Sequence, residues 1–255
     1  MIRSITDVDS YTEACKNASE DESMFNVFKV NPDYTWVLEH VKVKQGQDYI
    51  NIIKRDNPHL LHKEYIDKFK ENDLYGGSTT HDYEDHTISP STLRYLKVLS
   101  DLIKIFGNLD GFKIAEIGGG YDGQCKIIKD YFKIDDYHLI DLPEANALSS
   151  KYLKKLEVNG VRHSTYDKLK PEKYDLIISN YGYTELSREL QEIYKANIID
   201  GSELGYITCN FIVHVMGGFD TYNRDELLQL KNNTQVLPEE PLTGNNIILI
   251  WKKSL

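Results

Sequence analysis

From residue 112 onward, short apolar runs alternate with amphipathic stretches. "FKIAEIG" (112–118) has the unbroken hydrophobic character of a buried strand, and "QCKIIKDYF" (124–132) sets Cys125, Ile128 and Phe132 on one helical face. "DYHLIDL" (136–142) predicts a second strand, "PEANALSSKYLKKLE" (143–157) a helix and "VRHST" (161–165) a short strand. "YDLIIS" (174–179) follows as a strand. In "TELSRELQEIYKANII" (184–199) Leu186, Leu190, Ile193 and Tyr194 fall on one helical face, and "LGYITCNFI" (204–212) is a further strand. Strands alternating with helices of this length imply a parallel sheet covered by helices on both faces. The tail, "TQVLPEEPLTGNNIILIWKK" (234–253), reads as strand, turn, strand, which makes at least one edge strand antiparallel.

The first hundred residues read differently, as helices with polar breaks. Short helices are expected in "DVDSYTEACKNA" (7–18), "PDYTWVLEHVKV" (32–43), "QDYINIIKRD" (47–56) and "HKEYIDKFKEN" (62–72). "NDLYGGSTTHDYEDHTISP" (72–90) lacks an apolar period and is expected to be a loop, long enough to suggest a functional lid. In "ISPSTLRYLKVLSDLIKIFG" (88–107), Ser89 suits the N-cap, Pro90 the first helical position and Gly107 the stop. These features divide the chain into an N-terminal helical region with lid loop (1–88) and an α/β domain (89–255).

The 255 residues, 40% hydrophobic and 27% charged, have the make-up of an ordinary globular chain without need of disulfides or metals. A formal charge of −10 argues against general nucleic-acid binding and against an anionic membrane surface. No apolar run is long enough for a membrane span, and "MIRSITDVDS" is not a secretory leader. Three cysteines without C-x-x-C spacing fit a reducing cytoplasm and no structural zinc site. His81 and His86, with acids between them, match no metal motif; their loop could instead fold over an acceptor site. Metal is left unassigned.

The chemistry concentrates at the first strand-to-helix turn, "AEIGGGYDG" (115–123). Gly118, Gly120 and Gly123 form a G-x-G-x-x-G, a weak signal that fits two kinds of nucleoside cofactor. A dinucleotide would bring its pyrophosphate to the helix N-terminus, where the carboxylates of Glu116 and Asp122 are unwelcome. S-adenosylmethionine brings a sulfonium and an ammonium, which those carboxylates attract. Asp141, ending the second strand, can accept ribose hydroxyls in either case. The bland alternatives are a solvated acid at Glu116 and a helix cap at Asp141.

"EIGGGYDG", "LIDLPEA" and "YDLIISNYGYTELSRE" together resemble the class I S-adenosylmethionine-dependent methyltransferases. More narrowly they are similar to the sugar O-methyltransferases of bacterial surface-polysaccharide clusters, as are "ISPSTLRYLKVLSDL" and "PLTGNNIILIW". The resemblance spans roughly residues 75–255, and Tyr183 stands where phenylalanine is expected. It implies a Rossmann-like, mostly parallel seven-stranded sheet with a C-terminal antiparallel hairpin. It also implies a cytoplasmic O-methyltransferase that converts S-adenosylmethionine to S-adenosylhomocysteine. The acceptor would be a sugar or nucleotide-sugar, with a GDP-heptose the narrowest form. The cofactor contacts expected are Glu116, Gly118, Gly119, Gly120, Asp141, Leu142, Ser179 and Asn180.

Methylating a hydroxyl needs in-line positioning and a general base. His214 reads either as that base or as a strand-end histidine satisfied by a carbonyl. Glu185 reads as a second base or as a partner of a helix dipole, and Asn180 as an orienting group. The competing function is an NAD(P)-dependent oxidoreductase or epimerase, which would keep the glycines and Asp141. Against it stand Glu116 and the lack of a Tyr-x-x-x-Lys pair after the fourth strand. A third reading is a non-catalytic scaffold. The N-terminal helices could cap the substrate or form a homodimer surface.

Overall fold

The computed structural model describes residues 4–213 and 218–252. Its centre is a seven-stranded sheet in the order β5-β4-β3-β6-β7-β9-β8. The parallel strands are β3 (Lys113–Ile117), β4 (Asp136–Ile140), β5 (Val161–Ser164), β6 (Tyr174–Asn180) and β7 (Ser202–Cys209). β8 (Gln235–Pro238) and β9 (Ile247–Trp251) form the antiparallel C-terminal hairpin, with β9 against β7. This is the helix-covered parallel sheet that the alternating pattern implies, in the Rossmann-like, seven-stranded form that the resemblance implies. The order reverses between β3 and β6, so the turns after those strands open the crevice in which such sheets bind ligands.

Period-two alternation assigns each strand residue to a face. Ile114 lies in one core with Tyr137, Leu139, Leu176 and Ile178, covered by α6 (Pro90–Phe106), α7 (Gly123–Tyr131) and α8 (Pro143–Lys155). Ala115, Ile117, Ile140 and Ile177 lie in the other, under Leu190 and Tyr194 of α9 (Arg188–Tyr194). The N-terminal helices join the first of these cores. α1 (Asp9–Glu20) contributes Tyr11, Ala14, Cys15 and Ala18, and α4 (Val43–Asp56) contributes Tyr49, Ile50 and Ile53. Asn57, just past α4, donates to the Ser100 carbonyl of α6 at 3.0 Å. Side chains from both sides of residue 88 thus share one hydrophobic cluster.

α6 begins and ends where its sequence signals lie. The Ser89 hydroxyl accepts from the Thr92 N–H at 3.1 Å, Pro90 takes the first turn, and Gly107 has φ +80°. Such a cap contributes about 1 kcal/mol.

Two N-terminal expectations are corrected. The helix expected over 32–43 covers only Pro32–Thr35, and the chain turns at Glu39, whose φ of +62° no helix continues through. The segment read as a loop contains a hairpin, β1 (His81–Tyr83) with β2 (His86–Ile88), which buries Tyr83 and Ile88. Two inward residues in so short a stretch are too few to register as a period. The hairpin, with His81 and His86, is not part of the cavity wall described below. Among the described residues no helix is long and apolar enough to cross a membrane, and no group of three or more His, Cys, Asp or Glu side chains is placed to hold a metal.

Candidate functional site

The turns after β3 and β6 meet at the switch point. A Cβ on Gly182 would lie 3.1 Å from the Cα of Gly118 and 3.0 Å from the Ile117 carbonyl oxygen, so a side chain there would wedge the two strand ends apart. Gly123 does the same for α7, since a Cβ there would lie 2.5 Å from the Tyr95 ring. Between them Gly118 and Gly120 take φ of +77° and +62°. Tyr121 holds the turn from beneath, edge-on to Tyr152 with ring centres 4.9 Å apart, and the buried Lys29 ammonium lies 4.3 Å from its ring centre.

Over this crevice lies a cavity of about 730 Å³, within the size range of small-molecule sites. Gly118, Gly120, Asp141, Asn180, Tyr181, Gly182, Glu185 and Asn210 form its sheet side. The N-terminal region supplies the opposite side with Tyr11, Trp36, Leu38, His40 and Tyr49, and α6 adds Arg94. Thr243 to Asn246, in the turn before β9, close one end. The backbone N–H of Ile5 donates to the Glu185 carbonyl at 3.1 Å, which ties the N-terminal segment across the mouth.

Gly118, Gly120, Asp141, Asn180 and Glu185 of the expected set therefore converge on one cavity. Asp141 accepts from the Gly120 N–H through Oδ2 (2.8 Å) and from the Leu142 N–H through Oδ1 (2.7 Å), locking the glycine turn to the end of β4. Glu185 Oε1 accepts from the Asn210 amide at 2.5 Å, and burial pushes its carboxyl above the usual range.

Glu116, Gly119, Leu142 and Ser179 are not part of the cavity wall. Glu116 shares the face of Ile114 rather than pointing along the strand, so it is buried under the helices and accepts the Tyr137 hydroxyl at 2.7 Å. Burial, with Asp122 beside it, pushes its pKa up to about 8. Gly119 faces Asp122, since a Cβ there would lie 1.9 Å from Asp122 Oδ1. Leu142 serves as the N-cap residue of α8. Ser179 is a strut, donating to the Ile117 carbonyl (2.8 Å) and accepting from the Tyr183 N–H (3.0 Å). The Tyr183 hydroxyl donates to the Gln191 carbonyl at 3.2 Å in the core, which gives it a structural task. His214 lies outside the described residues.

The acids form one electrostatic unit behind the turn. Asp122 is buried, in the left-handed region at φ +67°, and its Oδ2 has no hydrogen-bond partner. The nearest basic group is His163 Nε2 at 3.5 Å, and burial lowers the pKa of that histidine. Burial also raises Asp141, and both Glu116 and Asp122 feel its charge. A cation arriving at this turn would favour the ionised forms of these acids, whereas a pyrophosphate would oppose them.

Sequence reasoning missed Arg94, His40, Trp36 and Tyr49, which lie outside the strand-end turns, where no local motif marks them. Tyr181, which the turn after the fourth strand offers beside Asn180, carries a further signal visible only in three dimensions, a φ of +71° in a residue that rarely adopts it. Strain of that kind, worth roughly 1–3 kcal/mol, concentrates at functional sites.

No family model matches the chain, and no curated protein matches it. Solved structures do. One described as PigF with SAH is 16% identical at a TM-score of 0.43, over 55% of this chain and 50% of that one, so the match spans half of that protein. TehB from Haemophilus influenzae is 15% identical at 0.46, over 62% of each chain. The methyltransferase domain of bacterial CtHen1 is 9% identical at 0.46, over 62% of this chain and 97% of that one. These are distant likenesses in the path of the chain, and the roles of individual residues rest on the geometry above.

Proposed function

We propose that this chain is an S-adenosylmethionine-dependent O-methyltransferase acting on a sugar hydroxyl. The acceptor is a nucleotide-activated sugar, in its narrowest form a GDP-heptose, made for a bacterial capsule or lipopolysaccharide. The observation that carries the cofactor reading is the acidic glycine turn, where Asp141 faces the cavity with Asp122 and Glu116 buried behind it and, among the described residues, no Lys or Arg paired with them, only His163 at 3.5 Å from Asp122. The sequence resemblance supports the sugar acceptor, and the Asn, Thr and Gly groups of residues 243–246 suit a polyhydroxylated ligand.

The cofactor supplies a methyl group already activated on a sulfonium. Asp141 would accept the ribose hydroxyls, since each of its oxygens retains acceptor capacity beyond its backbone bond. Gly118 and Gly120 leave room for the chain of the cofactor along the turn. Glu116 and Asp122 lie behind the turn rather than in direct contact; burial holds both carboxyls above the usual range, and a cationic ligand would favour their ionised forms.

On the acceptor side, Glu185 would take the hydroxyl proton as the acceptor oxygen receives the methyl group that a bound cofactor would supply. Its raised pKa makes it a better base than an ordinary carboxylate. Asn210 orients it, and Asn180 faces the same cavity. His214 is the other candidate base.

The test is isothermal titration with S-adenosylhomocysteine and, in parallel, NAD, followed by methyl transfer to nucleotide sugars. Binding of S-adenosylhomocysteine alone, with turnover on a sugar acceptor, is expected. Binding of NAD alone would hand the site to the oxidoreductase reading.

A further inference from the structure

Among the described residues, Arg94 is the guanidinium that lines the cavity, and none of them pairs with it as a counter-ion. Among the described residues Arg55 pairs with Asp56 and Glu240, Arg162 with Asp136 and Glu172, and Arg188 with Asp220 and Glu226, while Arg224 lies exposed to solvent over the Phe211 ring. No described carboxylate comes within ion-pair distance of Arg94. Its surroundings are phenols: its guanidinium carbon lies 5.5 Å from the centre of the Tyr95 ring, with Tyr49 and Tyr181 nearby. Glu39 and Glu185 feel its charge without pairing with it. The Tyr181 hydroxyl is turned instead to Glu239.

A half-buried guanidinium in a chain with forty acids against thirty bases has partners in abundance. Leaving it unpaired costs stability, and that cost is recovered only when something else brings the negative charge. The cavity thus has two electrical ends, an acidic one at the glycine turn and a basic one at Arg94.

We infer that Arg94 is the anion seat of this cavity, taking a carboxylate or phosphate of a bound molecule through its planar fork. Resting on the methyltransferase reading, the oxyanion has two sources. One is the α-carboxylate of the cofactor's amino-acid part, and the other is a phosphate of a nucleotide-activated acceptor.

Titration calorimetry on the full chain, wild type against Arg94→Gln and Arg94→Lys, tests this with four probes: S-adenosylhomocysteine, its decarboxylated analogue, GDP and inorganic pyrophosphate. The expected result is a loss of about 10- to 100-fold for at least one anionic probe in Arg94→Gln, with Arg94→Lys intermediate. Weakened S-adenosylhomocysteine with an unchanged decarboxylated analogue assigns the seat to the cofactor's carboxylate. Weakened GDP with unchanged S-adenosylhomocysteine assigns it to the acceptor's phosphate. Pyrophosphate bound by wild type and lost in Arg94→Gln upholds the seat even if S-adenosylhomocysteine does not bind and the cofactor reading fails. Equal affinities of wild type and Arg94→Gln for every anionic probe, or no anion bound by wild type, overturn the inference. Arg94→Gln is also expected to unfold no earlier than wild type, because it removes an unpaired cation. A marked fall in its unfolding temperature would overturn the inference in favour of a structural arginine.

Discussion

Asp141→Asn is the sharpest perturbation of the cofactor end, because it changes charge and hydrogen bonding with almost no change of shape. The carboxylate accepts two backbone N–H groups, from Gly120 at 2.8 Å and Leu142 at 2.7 Å. An asparagine retains one acceptor oxygen, so its amide NH2 must face one of those N–H groups, donor against donor. Losing a hydrogen bond to a charged group costs about 1.5–3 kcal/mol. Removing a negative charge beside Asp122 and Glu116 works the other way, and at intermediate dielectric is worth on the order of 1–4 kcal/mol for close charges. The two nearly cancel in the free protein, so its unfolding temperature is expected to move little. No such compensation exists on binding. The ribose hydroxyls lose a charged acceptor, and the cationic end of the ligand loses part of its attraction. Affinity for S-adenosylhomocysteine is therefore expected to fall about 10- to 100-fold. Calorimetry reads the affinity and differential scanning fluorimetry the stability. Binding within twofold of wild type, at unchanged stability, would refute the assignment of Asp141 to the ribose.

Three further outcomes follow from the same geometry. Glu116→Gln keeps an acceptor for the Tyr137 hydroxyl but cannot ionise. The Glu116 pKa is about 8 in the folded protein against an ordinary 4.5, so the stability it contributes is complete below pH 4.5 and is lost as pH rises through 8. The unfolding temperature of the variant should therefore overtake that of wild type between pH 5 and 9, and parallel profiles would contradict the burial argument. Tyr183→Phe deletes only a 3.2 Å bond to the Gln191 carbonyl, so a loss of about 1 kcal/mol in denaturant titration with unchanged turnover is expected; a tenfold fall in kcat would give the hydroxyl a place in the chemistry. Glu185→Gln can still hold Asn210 through its oxygen or by exchange of amide partners, but it cannot accept a proton. Turnover on the sugar acceptor should drop about 10²- to 10⁴-fold with cofactor affinity nearly intact, and full activity would pass the base role to another residue.

Local signals and global geometry divide this protein between them. The seven strands between residues 112 and 251 and the helices between the parallel ones were legible because alternation and helical period are properties of consecutive residues, as were the Ser89 and Gly107 ends of α6, whereas the short helix Arg224–Leu228 was not. The glycine turn and Asp141 were legible for a related reason, since strand ends in such a sheet fall beside the crevice by topology alone. Glu116 was misjudged in its direction. Its position near the strand end suggested a group facing the ligand, but the pleat sets it with Ile114 under the helices, two residues short of the turn. Ser179 likewise spends both hydrogen-bonding capacities joining β3 to the turn after β6, a contact across more than sixty residues. The far wall of the cavity came from the tertiary structure alone. Trp36, His40, Tyr49 and Arg94 have no shared spacing, and only the tertiary packing, with α4 against α6, brings them to one cavity with Asp141. The sequence by itself determined the strands of the main sheet and which strand-end turns border its crevice, because both follow from short-range pattern and from topology. The tertiary structure decided which side chains reach the cavity and which charges go unpaired there, because those depend on faces and partners far apart in the chain.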